Sequence, residues 1–406
     1  MHADGDGDYG RSALNGRAWS VGVQATMHLY LSPGFFGFTR LAHYDYFAHV
    51  QRALAERFKR AGQETEIHIS DVGPTASVRR RATKLAELIH RTASDKGAIH
   101  LLGHSTGGLD ARLVASPCTQ LGAALEPQRW QPRIRSVTTM NTPHFGTPLA
   151  TFFATTRGQQ ALYLLSAFTV VGLALGSRPL GLASALLRLF GQGDRVLGFE
   201  LPILDRSVDT VLGLLDDVRG EELRAFLRAV QSDQGAVIQL SPEAMDLMAA
   251  GFPDRVGVVY QSTVSMSPTP DFKRWFTTVG HPLQATSLGL FTALHHITAQ
   301  IDHRYPCSAE KAALEAADQQ MRKAFGEPPP LHANDGIVPV HSQLWGKTIW
   351  AGFGDHLDVL GHYRDQTPET ERSLRHHDWL TSGSQFDDAH FDALMDAIAT
   401  GILAAS

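Results

Sequence analysis

Only two cysteines, Cys118 and Cys307, occur in 406 residues, so at most one pairing can form and the disulfide framework of small secreted domains is excluded. Free thiols and a single bridge are equally open. A long basic tract is missing as well. The net charge is −5 and the densest cationic run is Arg79, Arg80 and Arg81, which leaves no electrostatic footprint for nucleic acid or an anionic membrane. Those three arginines fall where a helical pattern begins and are expected on a solvated face. No apolar stretch reaches the roughly 20 residues of a membrane span. The most apolar one, residues 161–175, is closed by Gly176, Arg178 and Pro179. The opening text, MHADGDGDYGRS, lacks the basic and apolar regions of a secretory signal, which predicts a cytoplasmic chain. None of the 20 histidines, His295, His296, His376 and His377 included, falls at a recognisable metal-ligand spacing.

What is present is an ordinary globular composition, 43% hydrophobic and 19% charged, with material for one elaborated domain or two. Residues 1–25 alternate Gly, Asp and Ser without an apolar period and read as a lead-in. Thereafter strand-like and helix-like patterns alternate. Strands are expected at 27–31, 66–70, 98–102, 134–140, 256–260 and 348–350, with helices at about 46–58 and 77–92 and a last one at 386–403. This alternation argues for βαβ units and a mostly parallel sheet. Between 150 and 239 it stops, and the text turns helical and leucine-rich, notably at 161–175 and 184–190. That segment reads as an inserted helical lid, because an apolar insertion beside such a sheet has something apolar to cover; a plainly buried helix also fits.

Residues 98–112, AIHLLGHSTGGLDAR, carry the chemistry. A serine hydroxyl is a weak nucleophile at neutral pH and must be raised on a sharp strand-to-helix turn where a base can reach it. Ser105 stands at such a change, flanked by Gly103 and Gly107, where a Cβ would strike the neighbouring strand or helix. The partners are expected later in the chain, acid before histidine. Asp335, on a turn beside Gly336, and His356, just past the last strand, meet that order; Asp355 and Asp358 are rival acids, His341 and His362 rival bases. Asp335 is preferred because a carboxylate next to the histidine in sequence points away from its ring. An oxyanion hole requires two backbone N–H groups, here Thr106 and, from the loop PGFFGF, Phe35. Phe35, Phe36 and Phe38 are placed to line an acyl site, with His104 beside them as a further substrate contact; an aromatic core patch is the plainer reading.

Six stretches in order, PGFFGF, GHSTGGLDAR, NTPHFGTP, LSPEAMDL, NDGIVPV and DHLDVLG, make the chain resemble the bacterial true lipases of the α/β-hydrolase superfamily from about residue 27 to residue 400. The resemblance implies an α/β-hydrolase core at 26–149 and 240–406 with the lid at 150–239. It further implies cleavage of acyl esters through an acyl-enzyme on Ser105, with Asp335 and His356 completing the triad, no organic cofactor, and transient contact with a lipid–water interface. It also implies a structural calcium on Asp358, for which Asp365 is the best candidate for the second carboxylate that such an ion needs. Two departures stand out: Pro33 replaces the histidine usual before the loop glycine, and His341 stands near one cysteine of a disulfide found in some members. An acyltransferase using the same acyl-enzyme and a retired hydrolase acting as a binding protein are the other readings.

Overall fold

The computed structural model describes residues 26–35, 40–41, 44–93, 96–122, 125–175, 217–270, 282–363, 378 and 380–406. Its centre is a six-stranded parallel sheet in the order β4-β1-β5-β6-β7-β8. The strands are β1 (Met27–Ser32), β4 (Thr65–Ile69), β5 (Ile99–His104), β6 (Ile134–Met140), β7 (Val259–Met266) and β8 (Lys347–Phe353). A short antiparallel pair, β2 (Arg40–Leu41) and β3 (Tyr44–Asp45), precedes the first helix. Every residue of β1 and β5 is buried, as expected of parallel strands covered on both faces.

The period of two along these strands sorts side chains into two cores. Met27, Leu29, Leu31 and Leu102 face α1 (Ala48–Arg60) and the C-terminal helix, Asp388–Ala404. Tyr30, Ile99 and Leu101 face α2 (Val78–Thr92) and α3 (Thr106–Ala115). Ser77 caps α2 by accepting from the Arg80 N–H, starting the helix where the sequence places it. A third cluster joins Val264 of β7 to Ala317 and Met321 of the helix Lys311–Phe325.

Two sequence expectations change, and one open alternative is decided. The strand expected at 256–260 begins at Val259, because Gly257 turns the chain with φ +84° and leaves Val256 fully exposed. Arg81 is not on a solvated face; it is fully buried against Asp110. Cys118 and Cys307 are both free thiols.

Between β6 and β7 the described chain is helical: α4 (Pro148–Phe153), α5 (Thr156–Leu175), α6 (Asp217–Ser232), α7 (Gly235–Gln239) and α8 (Pro242–Gly251). α5 packs against α4 and α6, burying Ala161, Leu162 and Tyr163. The second apolar stretch, 184–190, lies outside the described residues, as does the lead-in 1–25. Among the described residues no helix is long and apolar enough to cross a membrane.

Candidate active site

The chain leaves β1 toward the sheet edge at β4 and returns to β5 on the opposite side of β1. Open α/β sheets bind ligands at the carboxyl ends of the two strands that flank such a reversal, here β1 and β5. The loop at 33–35 follows directly on β1 and Ser105 directly on β5.

Ser105 joins β5 to α3 with φ 55° and ψ −128°, a conformation L-residues seldom adopt and one that costs on the order of 1–3 kcal/mol. Packing enforces it. A Cβ on Gly103 would lie 2.1 Å from the Gly107 carbonyl oxygen, and one on Gly107 would lie 2.0 Å from that of Ser32. The Ser105 N–H donates to the Met140 carbonyl at 2.8 Å, tying the turn to the end of β6. The strand-to-helix turn expected at this serine is therefore present, with both glycines required by contact.

Asp335 and His356 come together. Nδ1 of His356 lies 2.8 Å from Oδ2 of Asp335, and the His356 N–H donates to the Asp335 carbonyl at 3.0 Å. The carboxylate is completely buried and filled with donors: Ile337 and Val338 N–H on Oδ1 at 2.9 and 2.7 Å, Asn141 Nδ2 and Gln343 Nε2 on Oδ2 at 2.8 and 3.3 Å. Asn141 and Gln343 had no role assigned from sequence. Asn141 lies directly after β6 with φ 50°, a left-handed conformation asparagine tolerates, so its place in NTPHFGTP was the available signal.

The rival groups are engaged elsewhere. Asp355 turns from the ring, accepting from Leu357 and Asp358 N–H and from Ser382 Oγ. Nε2 of His341 meets the Pro329 carbonyl at 3.1 Å, and His362 packs edge-on against His49.

The expectation that His104 touches substrate is corrected. His104 is completely buried, with Nδ1 2.7 Å from the Tyr46 hydroxyl and Nε2 2.9 Å from the His356 carbonyl, so neither ring nitrogen is left for a ligand. Burial drives its pKa well below 6.5, and the neighbouring His356 adds to the effect. Its ring packs against that of His356, centroids 4.7 Å apart, linking the residue before Ser105 to the histidine loop.

The loop after β1 is braced from beneath. Gly34 N–H donates to the Tyr46 hydroxyl at 3.0 Å, and a Cβ on Gly34 would lie 2.7 Å from that of Ser105. Arg81 pairs with Asp110, whose Oδ2 also accepts from Ser32 Oγ at 2.8 Å, and donates to the carbonyls of Pro33, Gly34 and Gly73. Phe35 is half-buried against the α2–α3 core, and Thr106 opens α3, fully buried. Phe36 and Phe38 lie outside the described residues.

Asp358 is buried three residues from Asp355, its Oδ2 accepting from the Asp355 N–H and from Ser384 Oγ at 2.8 and 2.7 Å. Burial raises its pKa to about 7, and burial with the Asp358 and Asp378 charges raises that of Asp355 well above 3.8. Asp365 lies outside the described residues.

No protein-family profile and no curated protein matches the sequence. Among solved structures the chain is similar to several bacterial esterases and lipases. With lipase 1 from Pelosinus fermentans it shares 14% identity over 92% of this chain and 98% of that one, TM-score 0.48. With EstA from Clostridium botulinum the figures are 18%, 90% and 87%, TM-score 0.45, and with the metagenomic carboxyl esterase MGS0156 they are 14%, 94% and 76%, TM-score 0.44.

Proposed function

We propose that the chain is a serine carboxylic-ester hydrolase, a lipase or esterase, with Ser105 as nucleophile, His356 as general base and acid, and Asp335 as the group that orients the imidazole. The observation that carries this reading is the 2.8 Å contact from His356 Nδ1 to a carboxylate otherwise filled by donors. Such a bond holds the proton on Nδ1 and leaves Nε2 basic. Nε2 takes the Ser105 proton as the serine oxygen attacks the ester carbonyl, then passes it to the departing alcohol as the tetrahedral intermediate collapses to an acyl-enzyme. Water repeats the sequence and releases the carboxylic acid. Asp335 holds the ring in place and offsets its charge throughout, and no organic cofactor enters.

The developing oxyanion is bound by the Thr106 N–H at the positive end of α3 and by the Phe35 N–H, each worth about 2.7–4 kcal/mol of barrier. Support for Phe35 lies in Arg81. The Gly34 carbonyl, 3.4 Å from Arg81 Nη1, belongs to the same peptide plane as the Phe35 N–H, so holding one turns the other in the opposite direction. Phe36 and Phe38 line the acyl chain, and the insertion at 150–239 serves as a lid that opens at a lipid–water interface. The apolar character of α5 supports this part. Calcium on Asp358 and Asp365 completes the reading, supported by the burial of the neighbouring Asp355 and Asp358 carboxyls, whose charged forms burial disfavours and a cation would favour. The Asp358 oxygen that accepts two protein hydrogen bonds counts against a full calcium shell there, so no step is routed through the ion.

A fluorophosphonate probe tests the core of the proposal. Stoichiometric labelling that Ser105→Ala abolishes is expected, together with turnover of p-nitrophenyl esters that rises from acetate to octanoate. An unreactive protein would leave a retired hydrolase fold; labelling with acetate preferred would remove the lid and the lipase part.

A further inference from the structure

At the far edge of the sheet, three side chains converge for which the ester chemistry has no use. His28 of β1 and Glu66 of β4 are register partners, and His68 follows Glu66 on the same face of the strand. Glu66 Oε2 lies 3.3 Å from His28 Nδ1 and 3.5 Å from His68 Nε2, and the three ligand atoms all fall within 4.8 Å of one another. Among the described residues this is the only such grouping of histidine, cysteine or acidic side chains.

We propose that His28, Glu66 and His68 form a binding site for a divalent transition metal, with zinc the ion their donor set fits. Two imidazole nitrogens and one carboxylate oxygen are a common three-residue zinc set, with water in the fourth place. Two donors each about 2.0–2.1 Å from a tetrahedral ion stand roughly 3.3 Å apart, close to both the 3.3 and the 3.5 Å separation. As hydrogen bonds the same contacts are poor, since both exceed the usual 2.7–3.2 Å and fall on a single oxygen.

The surroundings fix the ligands in the way metal sites require. The His28 ring also hydrogen-bonds the Lys96 carbonyl, the kind of outer contact that orients a ligating imidazole. The His68 ring stacks on Tyr30 with centroids 4.8 Å apart, and the Tyr30 hydroxyl is held by Thr92 at 2.9 Å. Arg133, the nearby cation, is committed to the Gly97 and Lys96 carbonyls at 2.9 and 2.8 Å. Glu66 is 55% exposed, which gives an ion and its water a path from solvent. An ion here bridges β1 to the edge strand β4 and pins their register. Ile99, the β5 partner of His28, is separated from Ser105 by the length of β5, about 20 Å, so the site is structural.

Cobalt(II) reports the site directly. The full-length protein, stripped with chelator and exchanged into metal-free buffer, is titrated with cobalt and followed by its visible d–d absorption, then with zinc to displace it. One saturable equivalent is expected in the wild type. His68→Ala and Glu66→Gln, the second nearly isosteric and half-exposed, should each bind about a hundredfold more weakly or worse while ester turnover is unchanged. Absence of a saturable band in the wild type, or a band that survives both substitutions, overturns the site.

Discussion

Two histidine–carboxylate groups occupy opposite ends of this sheet, and they are built on contrary principles. At the carboxyl end, Asp335 is completely buried, its two oxygens accept four protein donors besides the His356 contact, and one imidazole meets it at bonding distance. At the edge, Glu66 is half in solvent and one of its oxygens stands between two imidazoles, close to each and well bonded to neither. The first arrangement fixes a proton on a chosen nitrogen. The second gathers lone pairs around a point, which serves a cation. The two carboxylates thus differ both in burial and in the donors that fill their oxygens, four beside the imidazole at Asp335 and open solvent at Glu66.

The largest test of this contrast falls on the buried end. Ser105→Ala should lower kcat by about a million-fold while leaving the fold intact. Esterase assay alongside circular dichroism checks it, and retention of more than a small fraction of turnover would remove the serine from the mechanism. Asp335→Asn should cost about ten-thousand-fold, because the amide donor reverses the tautomer of His356. Asp355→Asn should cost far less, since its carboxylate faces Ser382 rather than the ring; the reverse ranking would exchange the two acids.

Arg81→Met should lower unfolding free energy by about 3–5 kcal/mol in denaturant melts, because it leaves Asp110 buried without its cation. Arg81→Lys, which keeps the charge but not the fork that reaches Pro33 and Gly34, should lower kcat by up to about a hundredfold with KM little changed. Unaltered kcat in the lysine variant would detach Arg81 from the oxyanion loop.

The smallest effect concerns Asp358. Its folded pKa, raised from 3.8 to about 7, means that the native state holds a proton the unfolded chain has released between those values. The contribution is fully present below pH 4 and is lost as pH rises through 7. In EDTA the wild type should thus lose stability across that window relative to Asp358→Asn. Millimolar calcium should restore a few degrees of melting temperature near pH 7 in the wild type alone. Identical melts with and without calcium would end the calcium proposal.

Much of this was legible in the chain as written. The strands at β1, β4, β5, β6 and β8 show in local apolar patterning, as do the sharp turn at Ser105 and its obligatory glycines. Local text also sufficed for the ordering of Asp335 and His356, because turn residues announce loops at strand ends. The length and period of an apolar segment are properties of consecutive residues, and so is the steric demand of a strand-to-helix turn.

Tertiary structure alone decided what each polar side chain meets. Arg81 reads as one of three arginines on a solvated helix start, yet it is fully buried, because Asp110 on the neighbouring helix and the carbonyls after β1 supply the partners a buried guanidinium needs. His104 looked placed for substrate and instead joins Tyr46 to the His356 loop. His28, Glu66 and His68 show no ligand spacing in sequence, since the register between β1 and β4 brings together residues 38 positions apart. Partners of this kind are set by strand order and helix packing. A one-residue shift in register would turn each of them to the opposite face.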